Sequence, residues 1–133
     1  MKPVKWVLCI VLLAFITILL YQASSSKKYT IGPSNIHGKG VISGRRIQAG
    51  ERIGIAFTWN VKTHKLFITP DFGVFLNHKV KSNSRFTMVK QGDIEIYYSV
   101  AIQTIGAGEE ITVNYDGEEV PYFIEGSKPE YIS

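Results

Sequence analysis

Cysteine is the first scarcity: there is one in 133 residues, Cys9, and it lies inside an apolar run. A disulfide framework, a cysteine-based zinc cluster and a cysteine nucleophile are thereby excluded from everything that follows that run. Helical periodicity is the second. After residue 28 no segment keeps an apolar i, i+3, i+4, i+7 pattern for three turns, so the body of the chain is not a helix bundle. Acidic residues are scarce in one half: residues 27–90 carry twelve Lys or Arg against Glu51 and Asp71 (+10). Residues 91–133 reverse this, with nine acids against Lys128 (−8). The two halves are expected to pack together and neutralise each other, and the acidic stretch at Asp116, Glu118 and Glu119 is suited to attract a basic peptide. The basic residues are scattered among apolar ones without an aromatic–basic pattern, which argues against nucleic-acid binding. His37, His64 and His78 lack metal-ligand spacing, so no metal is expected.

What is present at the N-terminus is apolar. From Trp6 to Tyr21 only Thr17 interrupts a hydrophobic run. Trp6 and Tyr21 stand where interfacial aromatics belong, and Lys5 can extend its charge outward to lengthen the span. The run is read as an uncleaved single-pass anchor meeting the membrane through residues 4–21. A signal peptide cut near Ala23-Ser24-Ser25, releasing an exported β domain, is the alternative. Lysines flank both ends, so the positive-inside rule leaves the orientation undecided. The expected organisation is an anchor over 1–23, a linker over 24–28, a domain over 29–123 and a tail over 124–133.

The rest reads as short strands separated by glycine-bearing turns. Tyr29–Ile31, Gly40–Ser43, Arg52–Thr58, Lys65–Thr69, Phe86–Lys90, Ile94–Ile102 and Glu110–Val113 are rich in Val, Ile, Thr, Tyr and Phe. Gln91-Gly92-Asp93 is a hairpin turn signal. The expected fold class is mostly β, with several small sheets and no internal repeat.

Three polar strings interrupt this pattern. His37-Gly38-Lys39-Gly40-Val41 is a turn in which two glycines permit close backbone approach. It precedes Arg46-Ile47 and Ala49-Gly50-Glu51. Phe75-Leu76-Asn77-His78 continues into Lys79-Val80-Lys81-Ser82-Asn83. Gly108-Glu109-Glu110-Ile111-Thr112-Val113-Asn114-Tyr115 is the third. In this order they resemble the signature of SET-domain protein-lysine methyltransferases: a G-x-G opening, then N-H-S-C-x-P-N, then G-E-E-[IL]-T-x-x-Y. The last matches at every fixed position. In the middle string Asn77, His78 and Asn83 match, while Lys79, Val80 and Ser82 stand in place of Ser, Cys and Pro. A minimal, zinc-free type is the nearest resemblance.

That resemblance implies a SET-type β-clip of several small sheets with a threaded C-terminal segment, here preceded by one N-terminal transmembrane helix. It implies S-adenosyl-L-methionine as cofactor and a protein or peptide lysine as substrate. Gly38, Lys39, Gly40, Asn77, His78, Tyr115 and Phe123 would border the cofactor, and Tyr115 would be catalytic. Tyr97, Tyr122 and Phe57, with Trp59 a further candidate, would line the lysine channel; each of these aromatics is equally read as core packing. The expected function is lysine methylation by a membrane-anchored minimal domain, which needs a cytosolic face because the cofactor is cytosolic. The alternative, motivated by Lys79 and Val80, is a catalytically inactive SET-like module binding a basic protein segment at the membrane.

Overall fold

The apolar run folds as one continuous helix, α1 (Pro3–Ser25), and the described residues after it form strands and one 3-10 turn. A computed structural model describes residues 3–25 and 27–116. Within α1, Val4–Gln22 is 19 residues long and apolar enough to cross a membrane, and none of it is covered by protein. Thr17 donates its hydroxyl to the Leu13 carbonyl at 2.8 Å, satisfying its polar group inside the helix.

The strands are β1 (Tyr29–Pro33), β2 (Lys39–Ser43), β3 (Arg52–Asn60), β4 (Lys65–Ile68), β5 (Asn77–His78), β6 (Ser84–Gln91), β7 (Ile94–Ala101) and β8 (Glu110–Val113). They form two four-stranded sheets. The first has the order β1-β2-β8-β5 and the second β4-β3-β7-β6. All pairings are antiparallel except β5 with β8. The hairpin signal at Gly92 is realised as a two-residue turn, with Gln91 opposite Ile94 and Gly92 at φ +59°. Glycine suits that left-handed position because a Cβ is strained there.

The sheets meet through inward-facing side chains. Val41, Ile111 and Val113 of the first sheet, Ile53, Phe57 and Phe86 of the second, and Phe72 between them are all buried. A polar seam crosses the same boundary. Ser99 donates to Ser84 (2.8 Å), and Ser84 donates to the Thr112 carbonyl (2.7 Å), so both buried hydroxyls are satisfied.

A duplicated element, not expected from the sequence, joins the sheets. Ile47-Gln48-Ala49-Gly50-Glu51-Arg52-Ile53 and Ile105-Gly106-Ala107-Gly108-Glu109-Glu110-Ile111 are two copies of one turn leading into a strand. Gly50 and Gly108 both adopt positive φ, +89° and +83°. The Gly50 N–H donates to the Ala101 carbonyl at the end of β7; the Gly108 N–H donates to the Ser43 carbonyl at the end of β2. Each turn therefore closes onto the strand that leads into the other. Seven residues repeated once, 58 positions apart, fall below what a periodicity search reveals.

Candidate functional site

Gly38 sits in the hairpin loop between β1 and β2, Gly40 is the second residue of β2 opposite Gly32, and Ser34 organises the loop. The Ser34 hydroxyl accepts hydrogen bonds from the Ile36 and His37 amides at 2.9 and 3.2 Å. Its backbone N–H donates to the Gly38 carbonyl at 2.9 Å. This local serine turn gives the loop its shape. Gly38 takes φ +48° and is exposed, and among the described residues no atom lies within 4 Å of where a Cβ would stand.

Glu110, at the start of β8, pins this loop to the sheet. Ser34 donates its hydroxyl to the Glu110 carboxylate at 2.7 Å, and the Asn77 amide donates to the same group at 2.8 Å. Asn77 Nδ2 also lies 3.2 Å from the His37 and Lys39 carbonyls. Gly40 is required beside them, because a Cβ there would collide with the Glu110 carboxylate and press on the Asn77 amide. The three residues form one charge-assisted network behind the loop. Sequence reasoning saw Glu110 only as part of a motif and assigned Ser34 no role. The usable signal was a turn-forming serine four residues before Gly38.

Parallel pairing of β5 with β8 places Asn77 opposite Thr112 and His78 opposite Val113. Tyr115, two residues further on, folds back over them. Its backbone N–H donates to His78 Nδ1 (3.0 Å), and its hydroxyl donates to the Leu76 carbonyl (3.0 Å). With Nδ1 accepting, the proton of a neutral imidazole lies on Nε2, which is 3.7 Å from the Asp116 carboxylate. Asn83 holds β8 from the other side: it donates to the Glu110 carbonyl (2.8 Å) and accepts from the Thr112 amide (2.9 Å).

The channel candidates divide. Phe57 and Tyr97 stack on each other with centroids 4.5 Å apart, both buried in the core. Phe86 links them to the site, at 5.2 Å from Phe57 and 5.8 Å from Tyr115. The aromatic path that reaches Tyr115 therefore runs through Phe86, a residue the sequence reading passed over. Tyr97 donates its hydroxyl to Glu95 at 2.7 Å, and burial first, then this carboxylate, pushes its phenol well above the usual range. Trp59 packs against the edge of the core and stacks on His64 at 5.9 Å. Tyr122 and Phe123, the acids Glu118 and Glu119, the threaded C-terminal segment and the tail lie outside the described residues. Among the described residues no group of three His, Cys, Asp or Glu could hold a metal.

Gly38, Lys39, Gly40, Asn77, His78 and Tyr115 thus meet at one end of the first sheet. A SET-domain family model matches residues 56–116. Among solved structures, a Plasmodium falciparum protein assigned as a candidate histone methyltransferase is similar: TM-score 0.59, 24% identity, covering 73% of this chain and 97% of that one. A humanized mutant of the Chaetomium thermophilum Polycomb Repressive Complex 2, bound to an inhibitor, matches with TM-score 0.57 and 18% identity over 71% of this chain. A doubly substituted apo form of that complex matches with TM-score 0.57 and 17% identity over 80% of this chain. This chain spans only 16% and 17% of those two longer chains. No curated protein matches the sequence.

Proposed function

We propose that the chain is a SET-domain protein that transfers a methyl group from S-adenosylmethionine to a protein lysine while anchored in a membrane by α1. One observation carries the reading: the loop of Gly38–Gly40, the pair Asn77-His78 and Tyr115 are hydrogen-bonded into a single site. The residues fit the cofactor. A glycine backbone with an open side at Gly38 lies in the loop held by Asn77, the neighbour of the half-buried His78 that Tyr115 bonds, so a methionyl group can approach main-chain atoms there.

The cofactor supplies, when bound, a methyl group activated by a sulfonium. Lys39 contributes main chain to the cradle, and the Glu110–Asn77–Ser34 network keeps that main chain in place. Asn77 in this reading is a positioning residue, since its amide is committed to the loop it supports. The Tyr115 phenol is held by the Leu76 carbonyl, so its oxygen lone pairs are fixed in direction and can orient an incoming amine. That amine must be neutral to react, and a free lysine has pKa about 10.4. An apolar aromatic wall from Phe86, backed by Phe57 and Tyr97, disfavours the ammonium form and lowers that value. No strong general base is needed. Tyr122 and Phe123 complete the channel and the cofactor cover in this proposal.

The domain faces the cytosol, where the cofactor is found. The second reading is an inactive module that binds a basic protein segment; Lys79 and Val80 beside His78 favour it. Calorimetry of the full chain in detergent with S-adenosylmethionine separates the two. Saturable binding supports the transferase, and absence of heat at any concentration leaves the inactive module.

A further inference from the structure

Among the described residues the second sheet has one buried face and one partly exposed face, the open face. Register fixes which side chains share the open one. Arg52 lies opposite Val100, Ile55 opposite Tyr98, and Phe67, Thr58 and Ile96 form one row. Alternation along the strands puts these residues on the side away from Phe57, Phe86 and Tyr97. The Arg52 guanidinium sits over the Tyr98 ring at 4.6 Å, which places both on this face. Phe67 is 60% exposed. No Asp or Glu occupies an outward position on any of the four strands, whereas Arg52 and Lys65 do. The face is therefore apolar, aromatic and basic.

The connection to α1 reaches the domain at the Arg52 end of this face. Lys28 donates its ammonium to the Arg52 carbonyl at 2.8 Å, and the Gly44 N–H donates to the Lys28 carbonyl at 2.9 Å. A Cβ on Gly44 would collide with the Lys27 carbonyl, so the chain lies directly on that turn. Lys27, Lys28, Arg46 and Arg52 are all exposed around this point of entry, and Glu51 beside them is engaged by Arg45 at 3.0 Å. Only residues 26–28 separate α1 from β1, a reach of roughly 10 Å. With residues 23–25 of the helix added at 1.5 Å each, any membrane crossed by Val4–Gln22 lies within about 15 Å of the basic collar.

We propose that the open face of the second sheet, together with the collar of Lys27, Lys28, Arg46 and Arg52, docks on anionic phospholipid headgroups. The inference rests on the anchoring proposed above. Charge and tether agree on the partner: juxtamembrane clusters of Lys and Arg are drawn to an anionic leaflet, and exposed aromatics such as Phe67 settle at its interface. The geometry also orients the site. Lys28 lies at one end of the β1–β2 hairpin and Gly38 at the other, about 16 Å away along the strand. Docking therefore turns the Gly38–Gly40 loop away from the bilayer.

The test uses the full chain in lipid discs, with Cys9→Ser as background and a thiol-reactive, environment-sensitive dye at Thr58→Cys, in the open face. Val80→Cys, on the far edge of the first sheet, is the control. In discs containing phosphatidylserine, acrylamide quenching at position 58 is expected to fall severalfold relative to phosphatidylcholine discs, with position 80 unchanged. High salt, or Lys27→Gln combined with Lys28→Gln and Arg46→Gln, should restore quenching. Hydrogen exchange of the unlabelled chain gives an independent reading, with β4 amides slowed only in the anionic discs. Equal quenching in both discs overturns the docking, as does equal protection at position 80. Protection produced by a single-stranded oligonucleotide, or by a second chain per disc, assigns the face to those partners instead. A chain that washes off the discs in carbonate overturns the anchor and the docking together. One that stays but remains quenched overturns the docking alone.

Discussion

Ile47 and Ile105 exchange both backbone hydrogen bonds, each 2.9 Å, and neither side chain is exposed at all. They are the first residues of the two matching turns, and they meet where the sheets cross. Truncating either leaves a cavity at the one point both turns share. Ile47→Ala should destabilise the domain by roughly 2–5 kcal/mol and Ile47→Val by about 0.5–1.5 kcal/mol. Because the two residues touch, Ile47→Ala with Ile105→Ala should depart measurably from additivity in denaturant melts. Strict additivity would mean that the bridge is not a shared contact.

Gly40 and Gly38 should fail for different reasons. Gly40→Ala drives a methyl group into the Glu110 carboxylate, so loss of cofactor binding should exceed loss of stability. Gly38→Ala meets open space and carries only the strain of its positive φ, roughly 1–2 kcal/mol. Thermal melts beside binding titrations separate the two. Equal effects from both would remove Glu110 from its supporting role.

Tyr115→Phe deletes the hydroxyl that donates to the Leu76 carbonyl. One hydrogen bond is worth about 0.5–1.5 kcal/mol, so folding should survive. Misplacement of the amine should cost about 10²-fold in transfer to a lysine peptide, or change the number of methyl groups added. An unaltered rate and product would take Tyr115 out of the chemistry.

Ser84→Ala strands the Ser99 hydroxyl, which donates to Ser84 within this buried seam. The expected cost is about 1–3 kcal/mol. Adding Ser99→Ala should recover part of it, since the orphaned donor is then removed as well. A double variant no more stable than Ser84→Ala alone would contradict this.

Glu51 makes stability depend on acid. The Arg45 guanidinium hydrogen-bonded to it, and then the Gln48 amide, hold its carboxyl below the usual carboxylate range. The folded state therefore favours the ionised form. Its stabilisation is complete above the unfolded pKa, about 4.3, and is lost as pH falls through the lower folded value. Melts from pH 6 down to pH 2 should flatten in Glu51→Gln relative to the parent; identical slopes would sink the assignment.

Most strands were legible because alternation and glycine turns are local signals. Lys65–Ile68 and Ile94–Ala101 announce themselves by β-branched and aromatic residues bounded by turns. Asn77–His78 did not, since two residues carry no period; it is a strand only because β8 lies beside it. The site was legible as strings but not as contacts. Nothing local to Glu110 shows that its carboxylate reaches Ser34, 76 positions away. Phe57 and Tyr97 show the converse. Composition offers no means of telling a channel wall from a core stack, and only the Phe86 bridge to Tyr115 defines their relation to the site.

The exchange of turns between the sheets also sets a timetable for synthesis. Val41 in β2 pairs with Ile111 in β8, seventy positions later. At roughly 5–20 residues per second, β2 leaves the ribosome about 4–14 s before the strand that covers it exists. During that interval its inner edge is open to other nascent strands.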